Sequence, residues 1–199
     1  MLICVTNRRL CREDFLRRIG RLAAARPYAV LLREKDLDSP AYEQLARKAK
    51  AICDRHGVLL IASQNAAAAE KAGLTHVHLP MPALRAHPKG GPLVVGASVH
   101  TVAEAEEAQA LGAAYLVAGH IFATDSKKGL PPRGLPFLRQ VCQAVDLPVF
   151  AIGGIDAINA REVLASGAAG FCVMSAAMTC RDPVALVEEL KRSGDGAGL

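Results

Sequence analysis

Tryptophan is absent, and aromatic residues make up only 4% of the 199-residue sequence. Single-stranded nucleic acid is held by aromatics interleaved with Lys and Arg, and no such block occurs, so nucleic acid is not an expected partner. No apolar run reaches the roughly 18 residues of a membrane-crossing helix, so no membrane role is expected. The six cysteines, Cys4, Cys11, Cys53, Cys142, Cys172 and Cys180, contain no CxxC pair. They read as small hydrophobes in a reducing compartment. The first residues already have strand character, so no signal peptide is expected and the chain reads as cytoplasmic. HExxH, paired Asp motifs and zinc-type Cys/His spacings are missing, as is the GxSxG of a serine nucleophile. Neither a metal nor a cofactor is expected from these patterns.

What is present is an apolar load of Ala, Leu, Val and Ile within 51% hydrophobic content, and a net charge of +5. The length favours one domain with a sizeable core. The basic residues are scattered. They suit an anionic ligand, although most read as solvated surface charge.

Near-continuously apolar runs alternate with amphipathic segments, the pattern of parallel strands buried on both faces. The runs are Leu2–Thr6, Ala29–Arg33, Val58–Ala62, His76–Leu79, Leu93–Ser98, Tyr115–His120, Pro148–Gly153 and Gly170–Ser175. Helices are expected over Tyr42–Arg55, Val102–Leu111, Ile158–Ala165 and Pro183–Arg192, with a short, proline-interrupted one around Met81–Ala86. Thr101 with Glu104 makes a capping box, Asp156 suits an N-cap, and Asp182-Pro183 supplies an N-cap and a first-turn proline. Gly57, Gly73, Gly112 and Gly167 stand where helices end. Eight βα units in one compact domain predict an α/β fold of the (β/α)₈ TIM-barrel type over residues 1–192. An open doubly wound sheet is the competing architecture. Residues 193–199, rich in glycine, read as a frayed tail.

In such a barrel, chemistry sits at the C-terminal ends of strands. The loops after strands 7 and 8 commonly bind phosphate. Gly153 and Gly154 would let it approach the backbone, and Ser175 and Ala176 keep the facing side small. The other reading is that these glycines only relieve crowding at a tight turn. After strand 2, alternation aims Arg33 and Lys35 one way and Glu34 the other. Two cations suit a carboxylate or phosphate, or else form a solvated surface cluster. His120, at the end of strand 6, is followed by Thr124, Asp125, Ser126, Lys127, Lys128 and Gly129. It reads either as a proton shuttle beside an anionic substrate or as a structural histidine bonded to a neighbouring strand. His78 and His100 also lie near strand ends, where a structural role is the commoner one.

Five stretches, LLREKDL (31–37), GASVH (96–100), GHIFATDSKKG (119–129), AIGGI (151–155) and VMSA (173–176), resemble the thiamine phosphate synthase/TenI superfamily in this order. The resemblance spans nearly the whole chain and implies a TIM barrel of thiamine biosynthesis or salvage. Synthases of that superfamily join a pyrimidine diphosphate to thiazole phosphate and need Mg²⁺. Their pattern has Asn-Asp-Arg after strand 3 and Gly-Gln-x-Asp after strand 4, where this chain has Ala62-Ser63-Gln64-Asn65 and Leu79-Pro80-Met81-Pro82. The metal-binding carboxylates are therefore expected to be missing. The Gly119, His120, Phe122, Thr124, Asp125, Lys127, Lys128 and Gly129 pattern is instead similar to TenI-type thiazole tautomerases. That similarity implies His120 as acid/base and no metal. The implied substrate is 2-carboxy-4-methylthiazol-5(2H)-ylidene ethyl phosphate, which is isomerised to the aromatic carboxythiazole phosphate. Expected substrate-binding residues are Arg33, Lys35, Ser98, Thr124, Lys127, Gly153, Gly154, Met174 and Ser175. A synthase with altered metal ligands, or a non-catalytic regulatory barrel that binds a phosphate ligand, are the rivals. Exposed barrel ends and small helices suit a homodimer.

Overall fold

The computed structural model of the chain describes residues 1–195. Its elements, in order, are β1 (Leu2–Val5), α1 (Phe15–Ala24), β2 (Ala29–Leu32), α2 (Ser39–Arg55), β3 (Leu59–Ser63), α3 (Ala66–Lys71), β4 (His76–Pro80), α4 (Met81–Ala86), β5 (Val94–Val99), α5 (Val102–Ala110), β6 (Tyr115–Gly119), α6 (Gly134–Ala144), β7 (Val149–Ile152), α7 (Ala160–Ala165), β8 (Gly170–Val173), α8 (Ser175–Thr179) and α9 (Pro183–Asp195). The eight strands close into one barrel in sequence order, and β1 pairs with both β2 and β8 in parallel. The fold is a (β/α)₈ TIM barrel, as the strand–helix alternation predicts, and the open sheet is excluded.

Strand alternation divides the apolar residues into two cores. Ile3, Val5, Ala29, Leu31, Ile61, Tyr115, Val117, Phe150 and Cys172 fill the barrel interior. Their strand neighbours, such as Leu2, Cys4, Val30, Leu32, Leu116 and Ala118, join the larger layer between barrel and helices. Both faces are buried, which is why the strands read as unbroken apolar runs. The interior is closed partway up by Tyr115, whose ring lies over Gly96 of the neighbouring strand. A side chain at Gly96 would overlap that ring.

Three local readings change. Five strands, β1, β2, β6, β7 and β8, end one or two residues sooner than the apolar runs, while β3, β4 and β5 end one residue later. β7 stops at Ile152 and β8 at Val173, because Gly153 turns to φ 104° and α8 begins at Ser175. α7 begins at Ala160, and Asp156 does not cap it. Asn159 holds the N-cap position, while Asp156 Oδ1 accepts from the N–H groups of Ile158 and Asn159 in a turn before the helix. Ile158 stands 90% exposed in that turn. α9 continues to Asp195, through the first three residues assigned to the tail, and residues 196–199 lie outside the described part. Elsewhere the punctuation holds, except that Glu104 Oε2 accepts from His100 N at 2.6 Å and not from Thr101 N, so the capping box is half formed. Thr101 Oγ1 accepts from Glu104 N at 3.0 Å, Asp182 Oδ1 accepts from Val184 N at 2.9 Å, and Gly57, Gly73, Gly112 and Gly167 all have positive φ.

Candidate active site

The C-terminal ends of the strands open into a cavity of about 580 Å³. Arg33, Lys35, Ser98, His120, Thr124, Lys127, Gly153, Gly154, Met174 and Ser175 all line it. The period of two explains the aim of the strand-2 residues. Leu31 faces the barrel interior, so Arg33 and Lys35 continue the same side into the cavity.

Glu34 turns the other way and is only 5% exposed. Its carboxylate accepts from Thr6 Oγ1 at 2.7 Å and from Arg8 N at 3.1 and 3.0 Å. Burial pushes its carboxyl upward, against the pull of these donors. Thr6 Oγ1 in turn accepts from Arg33 N at 2.9 Å, so this relay fixes the backbone that aims Arg33. Replacing Thr6, which is fully buried, by Val should lower stability by about 1–3 kcal/mol by orphaning both ends of the relay. Urea unfolding measures this, and an unchanged midpoint would remove the relay from the account.

The cavity is cationic. Lys35 is pushed down from its ordinary range by burial and then by Arg33 and Lys127, with no anion holding it up. Among the described residues lining the cavity, Asp156 is the only carboxylate, and its Oδ1 is occupied by backbone donors. A cavity of this sign is built for a ligand that carries negative charge.

His120 follows β6 directly and is 9% exposed. Its loop is pinned across to β7: Ile121 N donates to Ile152 O at 2.9 Å and Phe122 N to Gly153 O at 3.0 Å. Arg133 N closes the loop onto His120 O at 3.0 Å. Nε2 lies 3.3 Å from Leu130 O. A carbonyl only accepts, so that contact wants the proton on Nε2, and a neutral ring then keeps Nδ1 as its free base. His120 thus has a structural contact and a cavity position at once.

Gly153 and Gly154, with φ 104° and 64°, have a steric reason to be glycine. A Cβ at Gly153 would run into His120, and one at Gly154 would run into Phe122 and Ala123. Crowding therefore accounts for both glycines without any ligand. They line the cavity all the same, facing the first turn of α8, whose N–H groups have no intrahelical acceptor.

Gln64 and His78 are among the polar cavity residues that fall outside the substrate-binding set expected from the sequence. Gln64, at positive φ 70°, donates its N–H to His78 O at 2.9 Å. His78 itself lines the cavity and bonds Ser98. A polar side chain in register with the interior face of β4 was the available signal. His100 has a structural contact, with Nδ1 2.7 Å from Gly119 O.

The residues do not fit a carboxylate-held Mg²⁺. The ends of β3 and β4 present Ser63, Gln64 and Pro80, and no group of three or more His, Cys, Asp or Glu placed for a metal occurs among the described residues.

The family described as thiamine monophosphate synthase matches residues 2–177. A thiamine-phosphate synthase of Gloeobacter violaceus is 39% identical over 158 residues, covering 77% of this chain but 46% of that protein, so the chain spans less than half of that relative. A thiamine-phosphate synthase of Coprothermobacter proteolyticus is 34% identical over 197 residues, covering 96% of this chain and 92% of the other. The solved thiamine phosphate pyrophosphorylase of Pyrococcus furiosus superposes with a TM-score of 0.86 at 29% identity, over 100% of this chain and 96% of that one. By the family match over most of its length and by a relative of this identity and coverage, the chain belongs to the thiamine monophosphate synthase family.

Proposed function

We propose that the chain is an enzyme of thiamine biosynthesis and that its reaction is thiazole tautomerisation. The observation that carries this reading is His120, an imidazole held in a cationic cavity whose described lining has no carboxylate pair for a metal. Backbone amides near Gly153, Gly154 and Ser175 hold the substrate phosphate. Arg33, Lys35 and Ser98 hold its carboxylate, Thr124 and Lys127 add a hydroxyl and a charge from the loop after β6, and Met174 lies against the ring. His120 takes the proton from ring C2. The electron pair of that C–H bond moves through the ring to the exocyclic carbon, which takes a proton back from the imidazolium. One C–H bond breaks and one forms, with no oxidant, metal or cofactor consumed, and aromaticity drives the change.

The names of the relatives favour a second reading. Both sequence relatives cited above are called thiamine-phosphate synthase, a transferase rather than an isomerase. One experiment separates the two. The full chain is mixed with the ylidene tautomer and followed by ultraviolet absorbance, and separately with pyrimidine diphosphate, thiazole phosphate and Mg²⁺ while pyrophosphate is assayed. A spectral change to the aromatic product without pyrophosphate release supports the tautomerase. Pyrophosphate release without the spectral change replaces it by the synthase. Neither signal, with phosphate ligands still bound, leaves the regulatory barrel.

A further inference from the structure

A buried histidine and a half-buried serine pair in the lining of the cavity. His78 on β4 is 6% exposed, and its Nε2 is 2.7 Å from Ser98 Oγ on β5. The imidazole stacks on Tyr115 of β6, with ring centroids 5.6 Å apart at 29°, and Tyr115 meets Phe150 of β7 edge-on at 5.9 Å. On its other nitrogen, Nδ1, His78 has no hydrogen-bond partner among the described residues.

These contacts select one tautomer. A neutral imidazole has one N–H. On Nδ1 it would be a buried donor without an acceptor, which is the rarer kind of orphan. On Nε2 it donates to Ser98 Oγ, and the unmet group is only a ring lone pair. Protonating both nitrogens would set a charge in an aromatic layer. Burial pushes His78 down to about 4, and Ser98 and Tyr115, the groups facing it, are both neutral. With Nε2–H donating, Ser98 Oγ is the acceptor, and its own hydrogen is left to point into the cavity.

We infer that His78 is a positioning residue that holds Ser98 as a hydrogen-bond donor toward an anionic oxygen of the substrate. This rests on the reading of an anionic substrate given above. The pair makes the serine hydroxyl a committed donor, so a substrate whose group at that point cannot accept leaves a polar group unpaired and is rejected.

The first test needs no activity. Nitrogen-15 NMR of the ligand-free full chain, labelled at histidine, should show His78 neutral with Nε2 protonated throughout about pH 6 to 8. An Nδ1–H tautomer, or titration of His78 within that window, overturns the inference while leaving the tautomerase reading intact. The second test uses the ylidene tautomer as substrate. His78→Leu and Ser98→Ala should each raise KM by about tenfold, the double variant should add little to Ser98→Ala, and His78→Gln, which keeps an N–H donor, should recover much of the loss. If His78→Leu raises KM equally whether or not Ser98 is present, the coupling does not exist. Should His78→Leu fail to fold, the tautomer measured in the unaltered chain still decides.

Discussion

Replacing His120 by asparagine should cut kcat by roughly 10²–10⁴-fold while KM stays within about threefold. Asparagine is polar and slightly smaller than imidazole, and it cannot carry a proton in the required pH range. The surrounding loop does not depend on the ring. It is held by backbone bonds from Ile121 to Ile152, Phe122 to Gly153 and Arg133 to His120 itself, all at 2.9–3.0 Å. The imidazole adds to these only a long hydrogen bond from Nε2 to Leu130 O, at 3.3 Å. A variant with an unchanged unfolding midpoint and a kcat reduced in that range isolates the proton transfer. Near-normal turnover would leave His120 with its structural role alone and move the acid/base role elsewhere in the cavity. His100 would be the next candidate, because it lines the same cavity and, with Nδ1 2.7 Å from Gly119 O, keeps Nε2 as its free nitrogen.

The barrel is legible in the sequence because both faces of most strands are apolar, so period and composition agree along most of the chain. The site is legible for a related reason. Once the strands are counted, their C-terminal ends are known, and alternation sends Arg33 and Lys35 the same way as Leu31. What escapes is non-local. The Arg33–Thr6–Glu34 relay joins residues 27 and 28 positions apart, and His78 meets Ser98 across 20. No periodicity within either strand announces such pairs. The start of α7 is misplaced by sequence because Asp156 looks like a cap from its neighbours. The backbone instead uses it for a turn that delays the helix to Ala160. The metal question is partly legible. Ser63 and Gln64 can be read against the superfamily pattern, but only the folded cavity shows that Asp156 is its sole carboxylate among the described lining residues.

The glycines after β7 are where sequence and structure say different things, and a substitution there has the other large expected effect. Gly153→Ala should lower stability by about 3 kcal/mol or more and also reduce kcat at least tenfold in the fraction that folds. Two costs combine. At φ 104° an L side chain is strained whatever the space. The new Cβ would also overlap the Cβ of His120 and lie 2.9 Å from its Cα. The strand-6 loop can retreat only by breaking the Phe122 N to Gly153 O bond. Any retreat carries the imidazole with it, and small displacements of a catalytic group are expensive in rate. Gly57→Ala supplies the control, since Gly57 has φ 66° but nothing within 4 Å of its would-be Cβ. It should cost about 1 kcal/mol and leave kcat alone. If the two variants behave alike in urea unfolding and turnover, crowding against His120 is not what fixes Gly153. If Gly153→Ala binds inorganic phosphate normally while losing turnover, the glycine serves the histidine rather than the anion. The β7 end would then act on the reaction by setting where the proton-transfer group stands.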